Sequence, residues 1–368
     1  MPKFESFQEK LNSFDSSLPI DSAWMLPASW YTDSDFLALE KELVFKKSWQ
    51  PVARLSQLEE ENSYVTGVTA DIPWVITRGP EGELRAFYNI CRHKGREVVR
   101  GCGKAERGEL VCGYHAWKFN TEGKLKSAPK MGGVKNFNLD EMSLVPLAVE
   151  AWGNWAFING DLNAEPLSRQ LKELNKRFDE RSIEKYKFHS TKEWIINCNW
   201  KVFNDNYLDG GYHIPFMHPS LDAQIDMENY KTECFENYNI QSSPANQKNG
   251  ELSYDHKERI GDGSIYAWVY PNFTLNLYGN CLDSNYVTPL GEDKCHVRYE
   301  FYFTEDCSEE FIENSIAQSD VTQVEDIEIC ESVQVGLKSG AYTAGRYAPQ
   351  LEVGEYHFHQ LLAKNLRQ

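Results

Sequence analysis

Two short runs constrain this chain more than anything else in it: Cys91-Arg92-His93 and Cys112-Gly113-Tyr114-His115, with eighteen residues between them. Each run offers one thiolate and one imidazole. A mixed Cys2His2 set on two loops fits a single [2Fe–2S] centre, with two cysteines on one iron and two histidines on the other. Replacing two thiolates by neutral imidazoles raises the reduction potential. Such a centre accepts an electron from a ferredoxin-like donor and passes it on. A structural zinc site takes the same ligand types, but zinc fingers usually pair Cys-x-x-Cys with His-x3–5-His, whereas each loop here runs cysteine then histidine. Gly95 and Gly113 sit beside the ligands, where tight loops are expected to need small residues.

Loops can aim ligands only from a rigid base, and the surrounding sequence supplies one. Between about 48 and 160 the pattern is of short strands, among them Trp74-Val75-Ile76-Thr77, Leu84-Arg85-Ala86-Phe87-Tyr88 and Trp155-Ala156-Phe157-Ile158, punctuated by Gly-Pro, Glu-Gly and Gly-Asn turns. Both Cys/His runs directly follow strand-like stretches. Before this unit, residues 1–45 read as a polar leader and a helix capped at Asp33-Ser34-Asp35. After it, residues 163–186 read as one amphipathic helix on Leu167, Leu171, Leu174 and Phe178. From about 188 a second unit mixes a helix-like segment at 199–213, strands at 265–304 and a long helix at 308–338. Residues 236–263, polar and turn-rich, are expected to form a loop or hairpin excursion.

The chain has 368 residues, enough for two domains. Its net charge of −17, from 38 basic and 55 acidic residues, disfavours a nucleic-acid partner. No run reaches the length of a membrane span, and Met1-Pro2-Lys3-Phe4-Glu5-Ser6 lacks the pattern of a secretory signal. The nine cysteines are odd in number and show no disulfide framework, so free thiols in a reducing cytoplasm are expected. Two Gly-x-Gly pairs, at 101–103 and 261–263, fall short of a dinucleotide fingerprint, so a separate reductase should feed the chain.

A second constellation is the stretch from Asn199 to His218, which ends in Asp209-Gly210-Gly211-Tyr212-His213-Ile214-Pro215-Phe216-Met217-His218. Two histidines five apart do not share a face of a helix, since five steps turn about 500°, or about 140° net. Gly210-Gly211 and Pro215 break the regular ladder, so both imidazoles can turn onto one metal. Two histidines and one carboxylate on one face of iron leave open positions for O2 and substrate, the arrangement of non-heme Fe(II) oxygenases. The plain alternative is two ordinary helix-end histidines. The third ligand would come from elsewhere, and the 308–338 helix offers Asp320, Glu325, Asp326 and Glu328.

At this point the residues resemble a known family. Cys91-x-His93 and Cys112-x-x-His115-Ala116-Trp117 are similar to the Rieske domain of the Rieske non-heme iron (aromatic-ring-hydroxylating) oxygenase α subunits, and the likeness runs over almost the whole chain. Within that family, 199–213, 325–337, Gly345-Arg346-Tyr347 and His357-Phe358-His359 look most like the plant-type choline monooxygenases and their bacterial relatives. The resemblance implies an α+β protein, with an all-β Rieske [2Fe–2S] domain (46–160) packed on a helix-grip, START-like antiparallel-sheet catalytic domain (161–368, with 1–45 joining it). It implies a homotrimer and a separate NAD(P)H-dependent reductase or ferredoxin. It implies a cluster on Cys91, His93, Cys112 and His115, and a mononuclear Fe(II) on His213, His218 and Asp326. It further implies that Asp209 bridges His115 of one subunit to the iron of its neighbour. In the ring-hydroxylating dioxygenases the bridging acid usually lies three residues before the first histidine. That position is Gly210 here and the acid is four before, which leaves Asp205 as a lesser candidate.

The implied reaction is monooxygenation of a small molecule. A quaternary ammonium compound of the choline, betaine or carnitine kind is best held by aromatic faces, and Tyr266-Ala267-Trp268-Val269-Tyr270 through Phe273 and Tyr278 places aromatics at strand spacing. The same stripe serves equally as sheet core. Hydroxylation of an aromatic or other apolar substrate remains open on the same machinery, as does a non-catalytic Rieske or zinc binding module.

Overall fold

The computed structural model describes residues 6–246 and 259–368. The chain divides into two compact units, Phe45–Gln170 on one side and the chain up to Val44 with Leu171–Gln368 on the other.

The first unit is built on a seven-stranded antiparallel sheet. Its strands are β1 (Gln50–Arg54), β2 (Ser63–Thr69), β3 (Ile72–Arg78), β4 (Leu84–Tyr88), β5 (Cys102–Lys104), β9 (Pro146–Trp152) and β10 (Trp155–Asn159), in the order β1-β10-β9-β4-β3-β2-β5. A three-stranded sheet, β6 (Glu109–Val111), β7 (Lys118–Asn120) and β8 (Leu125–Ser127), completes it. The period-2 alternation of β3 divides the core. Ile72, Trp74 and Ile76 pack with Val52, Val65 and Ile158. Val75 points the other way, into a second cluster with Phe87, Trp117 and Phe119 that also contains Cys91 and Cys112. The two thiols are therefore anchored in apolar packing, 3% and 2% exposed.

The unit extends to Gln170 because its last segment is tied back. Glu150 accepts from the Leu167 and Ser168 amides at 2.7 and 2.9 Å, and the Trp49 indole donates to the Glu165 carbonyl at 2.9 Å. The single helix expected over 163–186 is two, Leu167–Gln170 and Lys172–Arg181, interrupted at Leu171 and closed by Ser182 in a left-handed conformation. Leu167, Leu171, Leu174 and Phe178 are nonetheless all buried.

The second unit carries an antiparallel sheet of seven strands: β11 (Lys187–Ile196), β12 (Lys231–Cys234), β13 (Tyr238–Pro244), β14 (Gly263–Val269), β15 (Phe273–Tyr278), β16 (Cys281–Gly291) and β17 (Lys294–Phe303). The order is β11-β17-β16-β15-β14-β13-β12. The helix Glu309–Lys338 starts where Ser308 accepts from the Phe311 amide, with Glu309 and Glu310 in its first turn and Lys338 in its last, charges that suit the helix dipole. Of the loop or hairpin expected at 236–263, the hairpin is what forms: residues 238–244 are strand β13, paired antiparallel with β14 inside the sheet, while 247–258 fall outside the described residues. Its polar residues disguised it, and they serve the interior. Gln241, 1% exposed, donates to the Tyr207 carbonyl and accepts from the Tyr230 hydroxyl.

The helix Trp200–Leu208 begins at Asn199, whose side chain accepts from the Lys201 amide. It stops at Leu208, short of the expected 213, because Gly210 and Gly211 adopt φ of 72° and 77°. Its base is locked by a fully buried pair, Lys201 Nζ to Glu40 Oε1 at 2.6 Å, with the Trp200 indole donating to the other Glu40 oxygen at 2.7 Å.

Candidate active site

The two Cys/His runs fold into matching turns. The Cys91 amide donates to the Arg96 carbonyl and its carbonyl accepts from the Gly95 amide; Cys112 repeats the pattern with Trp117 and Ala116. The fourth residue after each cysteine has positive φ, 72° at Gly95 and 55° at Ala116. The expectation for glycine thus holds at Gly95, whereas the second turn places Ala116, not Gly113, in the left-handed region. His93 and His115 stand with ring centroids 4.6 Å apart, and His93 stacks on Trp117 at 4.9 Å. His93 Nδ1 is buried without a hydrogen-bond partner, which leaves its lone pair to a metal. His115 is exposed, and desolvation and the neighbouring His93 hold its pKa below the usual histidine value, favouring the neutral ligand form. Two groups of three or more donor atoms converge within 4.8 Å among the described residues, and this set is neither of them. Tetrahedral zinc needs all four donors within about 4 Å of one another, so the geometry suits a centre with two irons.

In the second unit, one of those two groups is His213, His218 and Asp326. His213 leads into the short helix Ile214–Met217 and His218 ends it, so the turn, not a helix face, brings the rings to 4.9 Å centroid separation. Asp326 Oδ1 lies 3.1 Å from His218 Nε2 and 3.7 Å from His213 Nε2, and also accepts from Asn206 at 2.7 Å. The opposite nitrogens are held as well. His213 Nδ1 faces Asp209 and His218 Nδ1 faces Glu325, each at 2.6 Å. Burial opposes protonation of His218, but Asp326 and Glu325 outweigh it and raise its pKa; a cation is what this pocket selects. Of the other acids on the long helix, Asp320 pairs with Lys192 and Glu328 is exposed. Glu325 holds a histidine from behind, a role its position in the sequence did not announce.

Asp209 also caps the turn: its oxygens accept from the amides of Gly211, Tyr212 and His213 at 2.9, 3.1 and 3.0 Å. Gly210 can hold no acid, since a Cβ there would overlap the Leu351 carbonyl oxygen. The shift of the acid by one residue therefore has a steric cause. Asp205 is occupied elsewhere, accepting from the Tyr31 hydroxyl at 2.7 Å and facing His359 Nε2 at 3.0 Å. Asp209 lines two cavities, one of about 370 Å³ that it shares with Asp205, Glu352 and Glu355, and one of about 110 Å³ that it shares with the His213, His218 and Asp326 donors.

Tyrosines dominate the apolar wall of the smaller cavity: Tyr207, Tyr230, Tyr266 and Tyr299. Burial pushes all four phenols up in pKa, so they stay un-ionised and present neutral aromatic faces. Of the aromatic stripe seen in the sequence, only Tyr266 reaches this cavity. Trp268 instead packs on Phe358 and Tyr270 as core. Tyr207 comes from the helix Trp200–Leu208, Tyr230 from the link before β12 and Tyr299 from β17, and no local pattern marked them.

An all-β Cys2His2 unit joined to an antiparallel-sheet unit with a two-histidine, one-carboxylate cluster defines the Rieske oxygenases. Residues 48–138 match the Rieske [2Fe-2S] domain and residues 179–368 the ring hydroxylating alpha subunit (catalytic domain). The chain is 38% identical to the chloroplastic choline monooxygenase of Arabidopsis thaliana, over 97% of this chain and 86% of that one. It is 34% identical to the carnitine monooxygenase oxygenase subunit of Escherichia coli (strain K12), over 93% and 94%. The solved quaternary ammonium Rieske monooxygenase CntA in complex with L-carnitine superposes with a TM-score of 0.80 at 31% identity, over 94% of this chain and 96% of that one. The chain belongs to the Rieske non-heme iron oxygenase α-subunit family. It is accordingly an oxygenase whose cofactors are a [2Fe–2S] cluster and a mononuclear iron, which sets aside the non-catalytic module.

Proposed function

We propose that this chain is the oxygenase component of a monooxygenase acting on a small quaternary ammonium compound, with O2 and with electrons from a separate NAD(P)H-dependent reductase or ferredoxin. The observation that carries the reading is the four-tyrosine wall beside the His213, His218 and Asp326 cluster. Neutral aromatic faces attract a cation that cannot donate a hydrogen bond, and the acids of the cavity add a favourable field. The relatives named for choline and carnitine, and the CntA structures with L-carnitine and gamma-butyrobetaine, support the same substrate class.

In this reading Cys91, His93, Cys112 and His115 hold the cluster, and His213, His218 and Asp326 hold the iron. Held there, the cluster would supply stored reducing power and the iron open positions for O2. The chain's own residues do the rest. Asp209 and Glu325 each accept from one Nδ1–H, so both imidazoles turn Nε2 toward Asp326. The tyrosines seat the ammonium and keep bulk water from the cavity.

In this reading the chain is a homotrimer and Asp209 is the relay to His115 of a neighbouring subunit; the inter-subunit electron transfer described for CntA supports it. Its four acceptor positions are all taken within the chain. An incoming imidazole N–H would replace one of the backbone bonds. All nine cysteines are free, in keeping with a reducing compartment such as the cytoplasm, and among the described residues no helix is long and apolar enough to cross a membrane.

The test is substrate-stimulated O2 uptake with a generic reductase, comparing choline, glycine betaine and carnitine with aromatic acids. Stimulation by the ammonium compounds alone is expected; stimulation by the aromatic acids alone would replace this reading with the aromatic one. In parallel, Asp326→Ala should lose the mononuclear iron, about one of about three irons per chain, and keep the visible spectrum of the cluster. Unchanged iron content would show the wrong acid.

A further inference from the structure

The tyrosine-walled cavity does not end at the tyrosines. It adjoins a second cavity of about 80 Å³, with which it shares Leu221, Tyr266, Asn276, Tyr299 and Thr322. Arg259 lines that second cavity and does not line the first. It is 8% exposed, and among the described residues its hydrogen-bond and ring partners are neutral, while the carboxyl of Asp283 acts on it only through space. Its Nη1 donates to Gln318 Oε1 at 2.7 Å, its Nη2 donates to Ser319 Oγ at 3.0 Å, and its guanidinium lies over the Tyr278 ring at 5.2 Å. Its Nε is buried with no hydrogen-bond partner. Asp283 lines the same cavity, but its oxygens already accept from Asn276 and from the Tyr278 hydroxyl, each at 2.6 Å. Among the described residues no carboxylate forms an ion pair with Arg259.

A guanidinium is never deprotonated in a protein, and a buried charge with no opposite charge bonded to it is costly. Folds keep such a group where a ligand completes it. Arginine's planar fork matches a carboxylate, with donors left over after two neutral bonds. We propose that Arg259 receives the carboxylate of a zwitterionic substrate, so that the molecule this enzyme prefers is an ammonio carboxylate and not an amino alcohol. This rests on the quaternary ammonium reading and narrows it. The cation sits among the tyrosines beside His213 and His218, and the anion reaches past Tyr266 and Tyr299 to Arg259. The carbons bonded to nitrogen then lie nearest the metal ligands. An amino alcohol such as choline fills the first subsite and leaves the guanidinium uncompensated.

The test is calorimetric binding to the anaerobic holoprotein with three probes: glycine betaine, its methyl ester (the same ammonium without the anion) and choline. Wild type should bind betaine at least tenfold more tightly than the ester or choline. In Arg259→Gln this preference should collapse to within about threefold, through loss of betaine affinity, and Arg259→Lys should recover part of it. Equal binding of betaine and its ester by wild type overturns the assignment of Arg259, a comparison that needs no variant to fold. So does a Gln variant that weakens both alike. If all three probes bind equally, the quaternary ammonium reading stands and this inference falls; if none binds, both fall.

Discussion

His218 is held at both ring nitrogens, with Glu325 on Nδ1 and Asp326 facing Nε2. A carboxylate behind a ligating imidazole fixes its tautomer and raises its basicity, and losing such a partner typically costs 10–100-fold in metal affinity. Glu325→Gln keeps the shape and removes the charge. It should weaken mononuclear iron binding by about tenfold or more, read by competition with a chelator, while the cluster spectrum is unchanged. A second histidine, His357, adds its own acid sensitivity to the fold. Burial pushes the His357 pKa down to about 4, and its Nδ1 has no partner. An unfolded chain binds this proton at about 6.5. Between those values the unfolded state holds more protons, so stability is lost as pH falls through that window. From pH 7 to pH 5 wild type should lose about 2 kcal/mol more than His357→Gln, measured by denaturant unfolding. The histidines and cysteines proposed as ligands stood out in the sequence because a metal demands particular atoms at short spacing. Arg259 and Glu325 were not, since a buried arginine and a surface-looking glutamate are told apart only by what packs around them.

At the scale of elements, the helix Ser34–Leu43 is joined to the helix Trp200–Leu208 by the buried Glu40–Lys201 pair. Burial raises the pKa of Glu40 and lowers that of Lys201, the mark of two charges that tolerate this site only together. Glu40→Ala should destabilise the chain by about 3–5 kcal/mol, whereas Glu40→Met with Lys201→Met should restore most of the loss; denaturant midpoints decide it. Elements with strong local signals were readable: the Asp33 cap, the strand through 74–77 and the long helix from 308 appear in the sequence as they do in the fold. Strand β13 was not, because its buried polar residues answer to the cavity and not to a hydrophobic period. The long helix shows the limit from the other side. Its span was evident, but its acids look alike in sequence, and Asn206 on the helix Trp200–Leu208 and the two histidines of the turn after it pick out Asp326.

At the scale of the molecule, the reading makes each active site a shared property of two subunits. A chain with His115→Ala lacks a working cluster and one with Asp326→Ala lacks the iron, so each alone should be inactive. Unfolded and refolded together, or coexpressed, they should regain a substantial fraction of wild-type turnover, since mixed oligomers would pair an intact cluster with an intact iron site. No recovery in demonstrably mixed oligomers would confine electron flow to one chain. The sequence by itself determined the cofactor chemistry, the two-unit order and the strand-then-ligand plan, because donor type, spacing and period are local properties of a chain. The tertiary structure decided which acid faces the two histidines, why Gly210 can carry no acidic side chain, and which residues wall the cavity beside them. Those depend on side chains from distant segments meeting in a low-dielectric interior, where contact and burial, not order along the chain, set the energy.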